Sequence, residues 1–100
     1  MPKGYWIARI DVNDPETYKS YIANATPAYQ KYGAKFLVRG GRCEALEGLG
    51  RGRNVVIEFD NYDAAVACYR SPEYQANIKV RQPHAIADLI IVEGYDGPQP

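Results

Sequence analysis

The sequence predicts an α+β domain in which strands and helices follow one another in the order β, α, β, β, α, β. Two observations support this class. Four segments are rich in β-branched and aromatic residues, as strands are, and two stretches between them repeat apolar residues at helical spacing. With 100 residues, 46% hydrophobic and 24% charged, the composition is that of one globular domain. We assign that domain to residues 3–95 and expect a loose tail over residues 96–100.

The first strand and the start of the first helix can be predicted from local patterns. In the strand, residues 5–12, alternation places four apolar side chains on one face: Trp6, Ala8, Ile10 and Val12. Asp14 is placed to cap the free amides of a first helical turn. Pro15 fits the first helical position, where its missing N–H costs nothing. We therefore expect the first helix to begin at Pro15.

An aromatic stripe runs along this first helix. Apolar residues recur at three- and four-residue steps and predict the face that packs on the sheet: Tyr18, Tyr21, Ile22, Ala25, Tyr29 and Tyr32. Pro27 interrupts the pattern and cannot donate a hydrogen bond four residues back, so a kink or restart is expected near Thr26. Gly33 then supplies a left-handed end to the helix.

The next segments predict a long hairpin. Residues 35–41 read as a second strand whose final glycine pair suits a β-bulge, and extended structure is expected to resume over residues 42–47. The glycine-rich residues 48–52 form the turn. Residues 54–59 then form a third, antiparallel strand.

A broken helix and a last strand complete the domain. Asp60 or Asn61 can cap a second helix, and Ser71 followed by Pro72 repeats the cap-then-proline signal for a further helix to about Val80. Residues 88–94 are a continuous apolar run, as expected of a central strand covered on both sides. Right-handed crossovers convert this order into a ferredoxin-like fold, a four-stranded antiparallel sheet with its helices on one face.

The other face of that sheet is predicted to be too apolar for open solvent. We expect it to carry a mixed set of side chains: Tyr5, Ile7, Arg9, Leu37, Arg39, Val56 and Glu58. Both alternating sets of the last strand are apolar as well, and large exposed apolar patches mark interaction surfaces. The sequence therefore predicts a homodimer in which a second copy covers this face.

Five blocks of the sequence, in order from about Lys3 to Tyr95, resemble the bacterial domain-of-unknown-function family number 1330. These blocks are residues 4–9, 36–41, 53–59, 69–74, and 87–88 together with 91–94. The resemblance implies a dimeric α/β barrel, in which two ferredoxin-like sheets pack face to face. It implies no activity, because relatives of this fold include cofactor-independent monooxygenases, a lactone isomerase, chlorite-converting haem enzymes and stress-induced proteins.

Charge and cysteine content argue against several classes of partner and site. Twelve basic residues balance twelve acidic ones, so neither a nucleic acid nor an anionic membrane is an expected partner. The start of the chain lacks the pattern of a signal peptide, and we expect a cytoplasmic protein. Cys43 and Cys68 lie far apart, without metal-ligand spacing, and are expected to be free thiols. No metal or cofactor motif is recognisable.

Arg39 and Glu58 are the principal candidates for chemistry. They are predicted to be cross-strand neighbours on the mixed face, allowing for the glycine bulge. Under a partner sheet, the arginine could bind a substrate carboxylate or enolate, and the desolvated carboxylate could accept a proton. The alternative is a buried pair that fixes the register of the dimer. Arg9 and Asp11 could extend the same network.

Other candidates are a histidine and several tyrosines. His84 is the only histidine and could move protons, although no neighbouring residue marks it as part of a triad. Tyr18 and the rest of the stripe could line a cleft for a flat aromatic ligand, with Tyr5 and Tyr69 as further binding candidates; ordinary core packing is the alternative. Two functions therefore remain open: a cofactor-independent enzyme acting on a small carbonyl-bearing or aromatic metabolite, and a non-enzymatic small-molecule-binding or stress-related dimer.

Overall fold

The protein forms a four-stranded antiparallel sheet covered on one face by helices. A computed structural model describes residues 2–100, with the exception of the His84 side chain. Its elements are β1 (Gly4–Val12), α1 (Pro15–Lys31), β2 (Lys35–Arg39), β3 (Arg53–Phe59), α2 (Tyr62–Arg70), α3 (Pro72–Arg81) and β4 (Ala85–Glu93), with a 3₁₀ turn at Gln82–His84. The sheet order is β2-β3-β1-β4. This arrangement confirms the predicted ferredoxin-like fold. None of the helices among the described residues is long and apolar enough to span a membrane.

Each helix begins at a capping side chain. The Asp14 carboxylate accepts the amide of Thr17 at 3.3 Å at the start of α1. Of the two candidates for α2, Asn61 is the cap and accepts the amide of Ala64 at 2.8 Å. Ser71 ends α2 and caps α3, so the crossover is a broken helix as predicted. These caps satisfy amides that the first helical turn leaves free.

Pro27 does not restart the first helix. The helix runs without interruption from Pro15 to Lys31, so the predicted restart near Thr26 is wrong. Pro27 lies on the exposed side of α1, where a carbonyl that loses its helical donor can be hydrated. The predicted left-handed end is confirmed, because Gly33 has a φ of 70°.

The hairpin between β2 and β3 differs from the prediction. Strand β2 ends at Arg39, and residues 40–52 form an irregular exposed loop in place of the extended structure expected over residues 42–47. The register shifts between Phe36 and Val38, which places a bulge at Leu37 before the glycine pair. Val38 consequently pairs with Val56, and Arg39 pairs with Val55. A bulge adds one residue to one strand, so every later side chain changes face.

Strand β4 lies at the edge of the sheet and not in its centre. It begins at Ala85, three residues earlier than predicted, and it pairs with β1. The prediction that this strand is central and covered on both faces is therefore wrong within a single protomer. Ile86 is 55% exposed and Ile90 is 58% exposed on the face that no helix covers.

The core lies between the sheet and the helices. Trp6 is among its largest fully buried side chains, and its indole N–H donates to the Ala65 carbonyl at 2.8 Å. Its strand neighbours Ala8 and Ile10 are buried beside it, as alternation predicted. The other face of β1 carries the half-buried or exposed residues of the uncovered sheet face.

Gly4 is required by a close approach of two backbone segments. A Cβ at this position would lie 2.4 Å from the Asn61 carbonyl oxygen and 2.7 Å from the Tyr62 Cα. Because these are backbone atoms, the start of α2 would have to move. We expect Gly4→Ala to lower the free energy of unfolding by about 1–3 kcal/mol, as overpacking does, in urea denaturation followed by circular dichroism. Gly41→Ala is the control, because no described atom lies within 4 Å of its Cβ position; an equal loss in both variants would contradict the close approach.

Candidate functional site

The aromatic stripe of α1 lines a small cavity between the helices and the sheet. Its walls come from β1, α1, β2, β3, α3 and β4: Trp6, Ala8, Ile10, Tyr18, Tyr21, Ile22, Tyr29, Phe36, Arg39, Arg53, Val55, Ile57, Tyr74, Arg81 and Leu89. The cavity volume is about 30 Å³. This is room for one or two water molecules and far below the ~300–1,000 Å³ of sites that enclose drug-sized ligands.

Aromatic rings pack edge to face around the cavity. The ring centroid of Trp6 lies 4.9 Å from that of Tyr74 and 5.9 Å from that of Tyr29. The Tyr21 and Tyr74 hydroxyls share a hydrogen bond in the buried interior. Burial raises the pKa of the Tyr29 and Tyr74 hydroxyls above the ordinary tyrosine value, which keeps both protonated at neutral pH. These hydroxyls are therefore neutral hydrogen-bonding groups.

Three arginines also line this cavity, and each guanidinium lies over an aromatic ring. The Arg39 carbon Cζ is 4.2 Å from the Phe36 ring centroid. Arg53 lies 5.7 Å from the centroid of Tyr18, and Arg81 lies 5.7 Å from that of Tyr21. Arg53 also hydrogen-bonds to the Tyr18 side chain and Arg81 to the Tyr21 side chain, and a guanidinium with five N–H donors keeps others for further acceptors. We call Arg39, Arg53 and Arg81 the arginine cluster.

The arginine cluster has no counter-charge among the residues that the structure describes. The ion pairs found there involve other cations: Lys3, Lys19, Lys31 and Arg51. Arg81 is only 8% exposed, and the Arg53 Nε is buried without a hydrogen-bond partner. The cavity therefore combines apolar walls with an uncompensated positive charge.

The predicted Arg39–Glu58 neighbours lie on opposite faces of the sheet, so that prediction is wrong. Glu58 registers with Lys35 and Tyr5 on the uncovered face, whereas Arg39 registers with Val55 on the helix-covered face. The bulge at Leu37 is the physical reason, because it moves Arg39 to the other face. Arg39 and the predicted Tyr18 thus both line the cavity on the helix-covered face.

Of the remaining predicted residues, Tyr5, Arg9 and Tyr69 do not line the cavity. Tyr69 packs 5.8 Å from the Trp6 ring but lines a separate surface groove between α2 and β4. Tyr5 and Arg9 lie on the uncovered face. The His84 side chain is outside the described residues.

Arg9 and Asp11 do belong to a polar network, but one organised by Arg51. Arg51 donates to Asp11 at 2.7 Å and to Asp88 at 2.9 Å, while Arg9 donates to the Leu49 carbonyl. Two hydrogen bonds lower the pKa of Asp11: the one from the Gly52 amide has the larger effect, and the one from Arg51 has the smaller effect. This network ties the loop of residues 40–52 to one end of the uncovered face. It does not include Arg39, contrary to the prediction.

The uncovered face is apolar along its middle. Ile7 registers with Val56 on one side and with Ile90 on the other, and Tyr5 registers with Val92. Val92 is 41% exposed. Exposed apolar side chains on adjacent strands form one continuous patch, which is unusual for a surface that stays in water.

Arg53 and Arg81 were not predicted as site residues, although the periodicity of β3 and α3 places both on inner faces. Arg53 is two residues before Val55 and therefore shares the inner face of β3. Arg81 follows Tyr74 and Ile78 at helical spacing, which places it on the inner face of α3. The signal in each case is a charged residue in an otherwise buried series.

Comparison with known proteins supports the fold. A protein of unknown function from Rhodopseudomonas palustris aligns with a TM-score of 0.75 at 19% identity, covering 96% of this chain and 85% of that one. SnoaB, a cofactor-independent oxygenase from Streptomyces nogalater, aligns with a TM-score of 0.64 at 12% identity, covering 100% and 97%. A dimeric ferredoxin-like protein of unknown function from Thermobifida fusca aligns with a TM-score of 0.52 at 19% identity, covering 91% and 92%. At these identities the similarity establishes the ferredoxin-like fold alone.

The sequence comparisons establish the family. No curated protein matches the sequence. The family described as "Domain of unknown function (DUF1330)" matches residues 3–95, as the five sequence blocks predicted. Because that match spans nearly the whole chain, the protein belongs to the DUF1330 family.

Proposed function

We propose that the protein is a homodimer that binds a small carbonyl-bearing or aromatic metabolite in the helix–sheet cavity of each protomer. The observation that carries the proposal is the cavity itself, in which aromatic walls, tyrosine hydroxyls and the arginine cluster converge. Ligand sites combine mostly apolar walls with a few polar groups in this way. The two sheets pack face to face through the uncovered face, and a solved ferredoxin-like structure described as dimeric is consistent with that arrangement.

The cavity must widen at its mouth to admit a ring. Its volume of about 30 Å³ is too small for one. Arg39 lies at this mouth over Phe36, and its side chain is exposed, so it can move without disturbing the buried core. Its movement exposes the Phe36 ring as a stacking surface.

Binding is better supported than catalysis. In the catalytic alternative, Arg39 orients the carbonyl group and Glu58 or His84 moves protons. Glu58 lies across the sheet from the cavity, where it faces the second protomer. The protonated Tyr29 and Tyr74 hydroxyls can donate to a ligand carbonyl, but they are poor bases at neutral pH.

The single tryptophan provides a direct test of binding in the cavity. Trp6 lines the cavity, so its indole N–H gives one resonance that reports on occupancy. We expect acetophenone, benzaldehyde or benzoate, titrated to millimolar concentration, to shift that resonance saturably in ¹⁵N NMR spectra.

Two phenylalanine substitutions test whether the shift of the Trp6 resonance comes from binding in the cavity. Ile22→Phe adds bulk inside the cavity and is expected to abolish the shift. Val66→Phe places the same new side chain in the groove between α2 and β4 and is expected to leave the shift unchanged. If none of the three compounds moves the Trp6 resonance, or if both variants respond alike, the proposed binding site is wrong.

A further inference from the structure

We infer that the cavity is a carboxylate subsite and that its ligand is an aromatic monocarboxylate, held by Arg39, Arg53 and Arg81. This inference rests on the proposed function and adds the charge and chemical class of the ligand. Arginine forks match the planar geometry of a carboxylate and bind it through paired N–H donors.

The first support is the contrast between these arginines and the chain's other partnered cations. Arg51 lies between two carboxylates, and Lys31 is 3.1 Å from Glu73. Each member of the arginine cluster faces aromatic rings, with no carboxylate within ion-pair distance among the described residues. Three like charges around one cavity repel one another, and an anion between them relieves that repulsion.

The second support is the burial of positive charge without a carboxylate partner. Arg81 is 8% exposed, and the Arg53 Nε is buried with no acceptor. A buried charge without an ionic partner is costly, and natural proteins retain such groups chiefly at functional sites. The Arg53 guanidinium also lies over the Tyr18 ring, 5.7 Å from its centroid.

The third support is the size of the cavity. A volume of about 30 Å³ accommodates a group as small as a carboxylate, but not an aromatic ring. The carboxylate therefore enters first, among the guanidiniums of the arginine cluster. The ring of the ligand stays nearer the mouth, against Phe36 and Tyr18, which already stack with cations of the cluster.

The test compares two probes of similar shape and different charge on the intact protein. Benzoate carries the carboxylate, whereas acetophenone is neutral and keeps the ring and a carbonyl group. From the Trp6 indole titration we expect benzoate to bind at least about tenfold more tightly, a difference typical of charge-assisted hydrogen bonds. The part of the preference that depends on the exposed Arg39 is expected to shrink in 0.5 M salt, since ions screen exposed charges.

Single substitutions distinguish a contribution of the cavity arginines from a general effect of the protein's charge on benzoate binding. Arg39→Gln and Arg53→Gln are each expected to weaken benzoate binding about tenfold and to weaken acetophenone binding by much less. Arg70→Gln, on the other side of α2, is the control and should alter neither. Arg39 is exposed, so its variant is expected to fold even if the Arg53 variant does not.

The outcomes distinguish a failure of the carboxylate subsite from a failure of the binding cavity. If acetophenone binds as tightly as benzoate, or if Arg70→Gln weakens benzoate as much as Arg39→Gln does, the carboxylate subsite is wrong while the binding cavity stands. If neither probe shifts the Trp6 resonance, the cavity proposal fails and the carboxylate subsite fails with it. Tighter binding of benzoate that depends on Arg39 supports both.

Discussion

Replacing Trp6 with alanine is expected to lower the free energy of unfolding by about 3–5 kcal/mol, the range found for deleting large buried aromatic side chains. Trp6 is almost fully buried, and it packs against four other rings: Tyr29, Phe59, Tyr69 and Tyr74. A domain of this size has a total stability of about 5–15 kcal/mol. The loss would therefore remove a large share of the stability of the fold.

Two further variants assign the loss to packing or to hydrogen bonding. Trp6→Phe keeps a ring but removes the donor to the buried Ala65 carbonyl, and it is expected to cost about 1–3 kcal/mol. Tyr95→Ala removes an exposed ring whose hydroxyl bonds only within the tail, and it is the control. The measurement is urea denaturation followed by far-ultraviolet circular dichroism. A Trp6→Ala variant as stable as Tyr95→Ala would contradict the central place of Trp6 in the core.

The fold was predictable because each of its elements depends on local chemistry. The caps at Asp14 and Ser71 lie directly before prolines, and the inner face of β1 follows from an alternation that includes Trp6. Such features involve residues close in sequence, and the βαββαβ order then leaves few topologies. Pro27 is the exception, because its effect depends on which side of α1 meets the solvent.

The site was harder to predict because it depends on register. Arg39 reaches the cavity through a bulge at Leu37, and no glycine or proline marks that position. Alternation alone placed Arg39 beside Glu58, on the wrong face. A shift of one residue reverses the faces of a strand, so the pairing with β3 had to be known first.

Arg53 and Arg81 show a different limit. Their positions were implied by the periodicity of β3 and α3, but arginine is seldom buried without a partner, so a charged side chain was not expected to face inward. Their place in the cavity follows from tertiary packing against Tyr18 and Tyr21. This exception to the burial rule is the observation that supports the proposed carboxylate subsite.

Replacing Ile90 with lysine is expected to raise the dissociation constant of the proposed dimer at least about 100-fold, or about 2.7 kcal/mol. Ile90 is 58% exposed in one chain and registers with Ile7 in the middle of the uncovered face. In a symmetric interface the substitution occurs twice, so two lysine charges would be buried in an apolar contact. Sedimentation velocity over nanomolar to micromolar concentrations measures this shift.

Ala23→Lys introduces the same charge on an exposed position of α1, on the helix side of the flat domain, and is expected to leave the dimer intact. The Cα extents of 43 × 36 × 16 Å give the uncovered face ample room for the ~800 Å² that a protomer contributes to a stable interface. The face is apolar enough to need this cover, yet it contains Glu58 and Arg9, which would set the register between copies. If the parent protein sediments as a monomer at micromolar concentration, or if Ala23→Lys dissociates it as readily as Ile90→Lys, then the uncovered face is not the dimer interface.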